Sequence, residues 1–323
     1  MTTAMIATST TEISSDSAAT KIKELAQEWL SFCDVQPTTF ATYQRALKNF
    51  TKWIADNNVA TVNRDSVIAY RDSLLENLQP TTCRLYIACV KLFIKFLASK
   101  GICPDFTAHF KGVKLSNDTH NRDALTVEES RQVFHSMTGE NEKSLRDKAI
   151  VGLMLATGLR CVEVTRLDVA DIEKRGKKLF LKVHGKARQG KQDRVILPAQ
   201  CAALISAYLK VRGSVEGNSP VFVSTSRRCK GNRLQSQTIS RLCKKVLVNA
   251  GFDSPRLTAH SLRHSFATNA IQSGVDIRQV SKALRHKSQV VTEIYLHDLD
   301  AMTNTATATV ANLIFQRSVI YAA

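Results

Sequence analysis

The chain of 323 residues is long enough for two domains with separate hydrophobic cores. Its hydrophobic residues (44%) and charged residues (23%) fall in the ordinary globular range, and it lacks the run of 18 apolar residues that would predict a transmembrane helix. The formal net charge of +17 favours nucleic acid as partner over an acidic membrane surface or a merely solvated basic face.

The N-terminal residues and the cysteines indicate where the protein is located and in which redox state. Residues 1–20 are polar and lack the basic start and apolar block of a signal peptide, so they predict a flexible tail and a cytoplasmic protein. The eight cysteines form no CxxC pair and have no histidine at zinc-finger spacing. We therefore expect reduced thiols, with no disulfide, no metal and no cofactor.

Residues 21–110 show the apolar periodicity of four amphipathic helices. The first covers residues 21–33, Thr38 or Thr39 is placed to cap the second, Asp65 to cap the third, and Pro80 opens a fourth that Gly101 ends. This pattern predicts a compact all-α domain. Its predicted DNA-contacting side chains are Lys48, Arg84 and Lys91, although an exposed basic helix face is by itself more often only solvated.

Residues 111–124 are polar and aperiodic and predict a linker. A second domain, residues 125–323, opens with a capping box at Thr126 and Glu129. Residues 143–159 predict a long buried helix that Gly158 ends just before Arg160. That arginine either satisfies helix carbonyls or lies in a polar pocket, and Glu163, three residues later, is placed to orient its guanidinium.

Two stretches of this domain are rich in lysine and arginine and poor in acids. Residues 179–183 and 194–197 predict two strands joined by a long cationic loop, which either enters a DNA groove or is simply soluble. Residues 227–245 contain seven lysines and arginines and no acid, with Ser236 as a possible helix cap. We expect both stretches to contact phosphates. The predicted contacts are Arg188, Lys191, Arg241 and Lys244.

The segment from 258 to 295 collects residues suited to attack on a phosphodiester. Thr258 is placed to cap a helix that carries His260 and Arg263 on one face, where both can address one phosphate. Gly274 ends that helix, and Asp276 caps a short one. His286 follows at a helix boundary, and Tyr295 lies late in the next helix. Two bases, a fixed cation and a phenol form a plausible but incomplete catalytic set.

These motifs together resemble the tyrosine recombinases, nearest to the Xer recombinases and the phage and transposon integrases. The resemblance covers residues 21 to about 300 and rests on TGLRCVE (157–163), HGKARQGKQDRVILP (184–198), HSLRHSFAT (260–268), LRHKS (284–288) and Tyr295. Each motif alone is weak, but their common order is specific. The positions that match the family's catalytic set are Arg160, Lys186, His260, Arg263, His286 and Tyr295.

The resemblance implies a role for each of these side chains. Arg160 and Arg263 bind the non-bridging phosphate oxygens, and Tyr295 attacks phosphorus to form a 3′-phosphotyrosine link, with His260 as the base. Lys186 protonates the departing 5′-oxygen, and His286 supports the phosphate and the tyrosine. The loop reads GKARQGK where the family commonly has GKGxK, so Lys186 is preferred to Lys191 by hairpin position only.

The resemblance also implies an architecture: a mainly α protein with a small β-sheet, in which an all-α N-terminal core-binding domain and an α+β C-terminal catalytic domain clamp duplex DNA. It implies recombination of specific sites through a Holliday junction by a homotetramer, or by a heterotetramer with a related recombinase. A C-terminal segment, with Val310, Leu313, Ile314 and Phe315, then docks on the neighbouring protomer or packs on its own domain. The alternatives are a type IB topoisomerase and a non-catalytic DNA-binding protein.

Overall fold

The computed structural model describes residues 15–114, 123–184, 193–213 and 215–286. The chain divides into two compact units, residues 1–119 and 120–323. Within the described ranges the fold is mainly helical with one small sheet, which confirms the predicted fold class. None of the helices in these ranges is long and apolar enough to cross a membrane.

Four helices build the N-terminal unit, as the apolar periodicity predicts. They are α1 (Ser15–Phe32), α2 (Pro37–Asp56), α3 (Arg64–Asn77) and α4 (Pro80–Ser99). Helix α1 begins six residues before the predicted start, so the predicted tail of residues 1–20 is too long at its C-terminal end. The core of this unit includes aromatic pairs. Phe50 and Tyr70, for example, are both buried and pack with ring centroids 4.9 Å apart.

Two predicted helix caps of this unit are wrong. Helix α2 begins at Pro37, which has no amide hydrogen that would need an acceptor in the first turn. Thr38 and Thr39 therefore lie inside the helix and do not cap it. Helix α3 is capped by Asn63, whose side chain accepts a hydrogen bond from the Ser66 amide at 2.9 Å. The predicted cap, Asp65, lies in the first turn of the helix instead.

Lys91 was predicted to be an exposed DNA contact, and that exposure is wrong. Its side-chain amine donates to the carbonyls of Thr107 and Phe110, both at 3.0 Å, and lies 4.4 Å from the centre of the Phe110 ring. The half-buried lysine therefore fastens α4 to the turn at residues 107–110.

The second unit packs seven helices and three strands in its described residues. The helices are α5 (Val127–His135), α6 (Glu142–Thr157), α7 (Cys161–Thr165), α8 (Ala199–Arg212), α9 (Ser236–Asn249), α10 (Ala259–Gln272) and α11 (Ile277–Leu284). The strands are β1 (Ile172–Arg175), β2 (Lys178–Val183) and β3 (Asp193–Leu197). The predicted capping box at Thr126 and Glu129 is present, whereas α9 is preceded by Gln235 and begins at the predicted cap, Ser236.

The sheet is antiparallel with strand order β1-β2-β3. The hairpin of β2 and β3 was predicted, and Leu181 pairs there with Val195. Strand β1 was missed because its sequence, IEKR, lacks apolar alternation. It is held by charge as well as by the ladder, because Glu173 forms an ion pair with Lys182 of β2 at 2.6 Å.

Helix α6 forms the centre of the second core, with its middle turns fully buried against neighbours that include α8, α9 and α10. A smaller and separate cluster joins α10 to α11 through Ala267, Val280 and Leu284. This arrangement brings the C-terminal ends of α6 and α11 to the flank of α10, which is where the candidate catalytic residues lie.

Candidate active site

Arg263 holds two chain segments together. It lies in α10, is 1% exposed, and donates one hydrogen bond to the Gly158 carbonyl at 2.6 Å and another to the Leu284 carbonyl. These carbonyls end α6 and α11, and each lies two residues before a predicted catalytic residue, Arg160 and His286. One buried guanidinium therefore fixes the positions of two other site residues.

The end of α6 requires a glycine. Gly158 has φ of +61°, the left-handed conformation that L side chains disfavour. A β-carbon at this position would also lie 2.7 Å from Leu284 Cδ2 and 2.8 Å from Phe266 Cδ1. The glycine thus lets α6 end in tight contact with α10 and α11, and its carbonyl then reaches Arg263.

Arg160 immediately precedes α7 and is held by Glu163, as the sequence predicted. Its Nη1 lies 2.9 Å from Glu163 Oε1, and its amide donates to Glu163 Oε2 at 2.8 Å. The Glu163 side chain is 1% exposed, while that of Arg160 keeps 27% of its surface accessible. The carboxylate therefore fixes both the backbone and the guanidinium of an arginine that still reaches solvent.

A second arginine, Arg285, binds the same carboxylate and was missed by the sequence reasoning. Its Nη2 lies 2.6 Å from Glu163 Oε2. Burial opposes ionisation of Glu163, but Arg285 and Arg160, together with the Arg160 amide, outweigh it and hold the pKa of Glu163 below its ordinary value. The only sequence signal was a basic residue directly before His286.

His286 lies just beyond α11, at the helix boundary that the sequence predicted. Burial, followed by the positive charge of Arg263, Arg160 and Arg285 and then by His260, lowers its pKa to about 4. At neutral pH its imidazole is therefore uncharged. The four other side chains thus act on the charge of His286, although the positions of the five residues span more than 120 residues of sequence.

His260 is exposed and lies in the first turn of α10, which Thr258 caps as predicted. Its ring meets that of His264 edge to face, with centroids 4.9 Å apart. His260 and Arg263 share a helix, but one is exposed and the other almost fully buried. The prediction that His260 and Arg263 address one phosphate therefore concerns the DNA-bound protein.

Four predicted site residues lie outside the described residues: Lys186, Arg188, Lys191 and Tyr295. The predicted docking segment, residues 310–315, lies outside them too. Of the six predicted catalytic positions, the structure brings together Arg160, His260, Arg263 and His286. Among the described residues, no group of three or more histidine, cysteine or acidic side chains is arranged to hold a metal ion.

The predicted DNA contacts divide into two kinds. Lys48, Arg84 and Arg241 are exposed, which leaves their side chains accessible to DNA. Lys244, like Lys91, is engaged within the protein, because its amine lies 2.7 Å from the Ser254 carbonyl and 3.1 Å from Asp253 Oδ1. Arg227, Arg228 and Lys230 form an exposed basic turn before α9.

Comparison with known families gives two matches that divide the chain. The model described as "Phage integrase family" matches residues 123–302, and the one described as "Phage integrase, N-terminal SAM-like domain" matches residues 12–101. The chain is also 30% identical over 287 residues to tyrosine recombinase XerD of Halalkalibacterium halodurans, covering 84% of this chain and 92% of that relative.

Solved structures show the same fold. The XerH site-specific recombinase in a post-cleavage complex with its difH substrate matches with a TM-score of 0.72 and 19% identity, over 90% of this chain and 84% of that one. The lambda integrase tetramer bound to a Holliday junction matches with a TM-score of 0.68 and 15% identity, over 85% and 76% of the two chains.

Proposed function

The chain belongs to the phage integrase family of tyrosine recombinases, enzymes that cleave DNA and transfer its strands, and we propose that it recombines specific duplex sites through a 3′-phosphotyrosyl intermediate on Tyr295. The observation that carries the proposal is the convergence of three arginines from segments far apart in the sequence: Arg263 donates to the carbonyls of Gly158 and Leu284, and Arg160 and Arg285 share the Glu163 carboxylate. A phosphodiester anion is the substrate that such a cationic pocket suits.

The first requirement of the reaction is to neutralise the phosphate. A DNA phosphodiester repels nucleophiles, and its trigonal-bipyramidal transition state carries more negative charge on the non-bridging oxygens than the ground state. Arg160 and Arg263 remain protonated and offer planar forks to these oxygens. Because both guanidiniums are already fixed, by Glu163 and by two main-chain carbonyls, little reorganisation is needed when charge develops.

The second requirement is proton transfer at both ends of the displacement. The Tyr295 oxygen forms the new bond to phosphorus and gives its proton to His260, since a phenol with a pKa near 10 is mostly protonated at neutral pH. The bond to the 5′-oxygen breaks, and Lys186 supplies that oxygen with a proton. His286, uncharged at neutral pH, hydrogen-bonds the phosphate and neither gains nor loses a proton in the reaction.

The third requirement is that cleavage be reversible without an energy source. The phosphotyrosyl bond conserves the energy of the broken phosphodiester, so the 5′-hydroxyl of a second duplex can attack it and release Tyr295. Two paired sites require four protomers, as in the lambda integrase tetramer on a Holliday junction. We propose the same for this chain, as a homotetramer or with a related recombinase, with residues 310–315 docking on the neighbour.

The test of cleavage uses a nicked duplex that carries the cognate site, obtained by selecting bound fragments from random DNA. The nick lets the short fragment that carries the released 5′-hydroxyl diffuse away. Religation is then impossible, so each cleavage event is trapped as a covalent adduct. We expect an adduct with the wild type and none with Tyr295→Phe, while Tyr321→Phe, which removes the other tyrosine hydroxyl of the C-terminal segment, still forms it. An adduct that survives Tyr295→Phe refutes the assignment.

Recombination is separated from simple strand passage by the requirement for sites. The proposed enzyme acts only on two cognate sites, whereas a type IB topoisomerase relaxes supercoiled plasmids that carry none. Truncation after Asn304 is expected to preserve single-site binding and abolish recombination. Full recombination by the truncated chain contradicts docking between protomers.

A further inference from the structure

Arg285 occupies a backbone position that favours glycine. Its φ is +56°, and only one other non-glycine residue in the described ranges, Asn58, has a positive φ. The Arg285 amide bonds to the Lys282 carbonyl at 3.0 Å, and the next amide, of His286, bonds to the Ser281 carbonyl at 3.1 Å. This pair of bonds is a Schellman motif, in which glycine normally takes the left-handed position. The side chain must therefore compensate for a strained backbone.

The compensation is contact with Glu163 across 122 positions of sequence. The ion pair is nearly closed to solvent, because the Arg285 side chain is 7% exposed and that of Glu163 is 1% exposed. The other terminal nitrogen, Nη1, donates to the Ala283 carbonyl at 2.6 Å, and Nε has no hydrogen-bond partner among the described residues. Both terminal nitrogens of Arg285 are therefore engaged within the protein, one by the Glu163 carboxylate and one by a main-chain carbonyl.

The charge balance around Glu163 gives this contact its meaning. One buried carboxylate receives two guanidiniums, from Arg160 just before its own helix and from Arg285 beyond α11. If Arg160 were the sole partner, its charge would be cancelled by Glu163 before any phosphate arrived. With Arg285 present, the three groups carry a net charge of about +1, and Arg160 is the member that reaches solvent.

We propose that Arg285 is a positioning residue that neutralises Glu163, so that Arg160 is held in place by the carboxylate yet keeps its positive charge for the scissile phosphate. The proposal rests on the function proposed above, in which Arg160 binds that phosphate. Arg285 also fixes the residue that follows it, since the backbone turn it adopts sets the position of His286.

The first experiment compares single-turnover adduct formation on the nicked duplex for the wild type, Arg285→Gly and Arg285→Met. Glycine suits the left-handed backbone and methionine keeps the aliphatic stem, so the two variants share only the loss of charge. We expect both to cleave roughly 10- to 100-fold more slowly, with the dissociation constant for the site within about 3-fold of wild type. The control is Arg278→Met, which removes an exposed arginine from the same helix.

The second experiment follows the pH profile, which a purely structural role of Arg285 would not move. The charged groups facing Glu163 are Arg160 and Arg285, with Arg263, His260 and His286 in the same pocket. Loss of Arg285 raises the pKa of Glu163, so the carboxylate protonates sooner and releases Arg160 as the pH falls. The ratio of the Arg285→Gly rate to the wild-type rate should therefore fall as the pH is lowered. Arg285 also contributes to the lowered pKa of His286, so the same ratio is measured in a His286→Asn background, where that imidazole cannot titrate.

A double-mutant cycle gives the outcome that overturns the proposal. If Arg285 acts through Glu163, Glu163→Gln combined with Arg285→Gly cleaves no more slowly than Glu163→Gln alone. Rate losses that multiply in the double variant, or a wild-type rate for Arg285→Gly, refute the role of Arg285. Thermal unfolding of each variant verifies the fold. An adduct with Tyr295→Phe refutes the proposed function instead, so the two failures are distinguishable.

Discussion

Replacing Gly158 with alanine tests whether the end of α6 is shaped by close contact or only by its backbone conformation. Two costs add at this position. The left-handed φ of +61° costs an alanine about 1–2 kcal/mol, and the new β-carbon lies 2.7–2.8 Å from Leu284 and Phe266, an overpacking that costs about 1–3 kcal/mol. The sum of about 2–5 kcal/mol lowers the Tm of a unit of this size by about 4–20 °C.

Gly176 provides the matched control. It lies between β1 and β2 with φ of +58°, and a β-carbon there meets nothing within 4 Å. Gly176→Ala therefore carries the same backbone cost without the steric one, and the entropy that alanine removes from the unfolded chain cancels in the comparison. The difference between the two variants is the steric cost alone, about 1–3 kcal/mol.

The assay is thermal unfolding of the full chain by circular dichroism, with adduct formation on the nicked duplex measured well below the Tm. Gly158→Ala should unfold at a lower temperature than Gly176→Ala. It should also cleave more slowly, because the Gly158 carbonyl that Arg263 binds must move. Equal Tm values for the two variants would refute the reasoning, since they would show that α10 and α11 give way without cost.

Three further predictions concern His286, Lys91 and Lys186. The pKa of His286 in the folded protein, about 4, is below its ordinary value of 6.5, so the unfolded state binds more protons between these pH values. The stability of the fold therefore falls as the pH is lowered through this range. His286→Asn should shrink the Tm difference between pH 7 and pH 5, and an unchanged difference contradicts this. Lys91→Met leaves two carbonyls without their donor and should destabilise the N-terminal unit by about 1–3 kcal/mol in denaturant unfolding. Lys48→Met should leave the stability unchanged and reduce the slope of the logarithm of the DNA-binding constant against log salt by about 1. The reverse pattern would show that Lys91, and not Lys48, contacts DNA. Lys186→Ala should cleave slowly, and replacing the 5′-oxygen of the substrate by sulfur should restore its rate, because a thiolate leaves without a proton. Lys191→Ala should cleave the ordinary substrate normally. If Lys191→Ala is the slow variant and sulfur restores only its rate, the two assignments are exchanged.

Local signals in the sequence were sufficient for much of the framework. Thr126, Thr258 and Asp276 each cap the helix that their position predicted, because an N-cap depends on a side chain and an amide two or three residues away. The contact of Glu163 with Arg160 was predictable for the same reason, since three residues along a first helical turn bring the two side chains together.

Contacts between distant segments were beyond such signals. Arg285 was overlooked because its partner lies 122 residues earlier, and a basic residue next to a histidine has no distinguishing pattern. Lys91 was mistaken for an exposed cation because helical periodicity places it on the polar side of α4 but does not reveal the turn at 107–110 that covers it. In both cases tertiary packing, and not local propensity, decides what the cation does.

The separate cluster that joins α11 to α10 has a consequence for local stability. Among the described residues, only Val280 and Leu284 of this eight-residue helix belong to it, so we expect α11 to open at a lower free-energy cost than the central core around α6. Its end carries the Leu284 carbonyl, Arg285 and His286, and each opening therefore dismantles the cationic pocket while the rest of the unit stays folded. Amide exchange in α11 should then report the fraction of molecules competent to cleave, and mild denaturant should abolish cleavage before the catalytic unit unfolds.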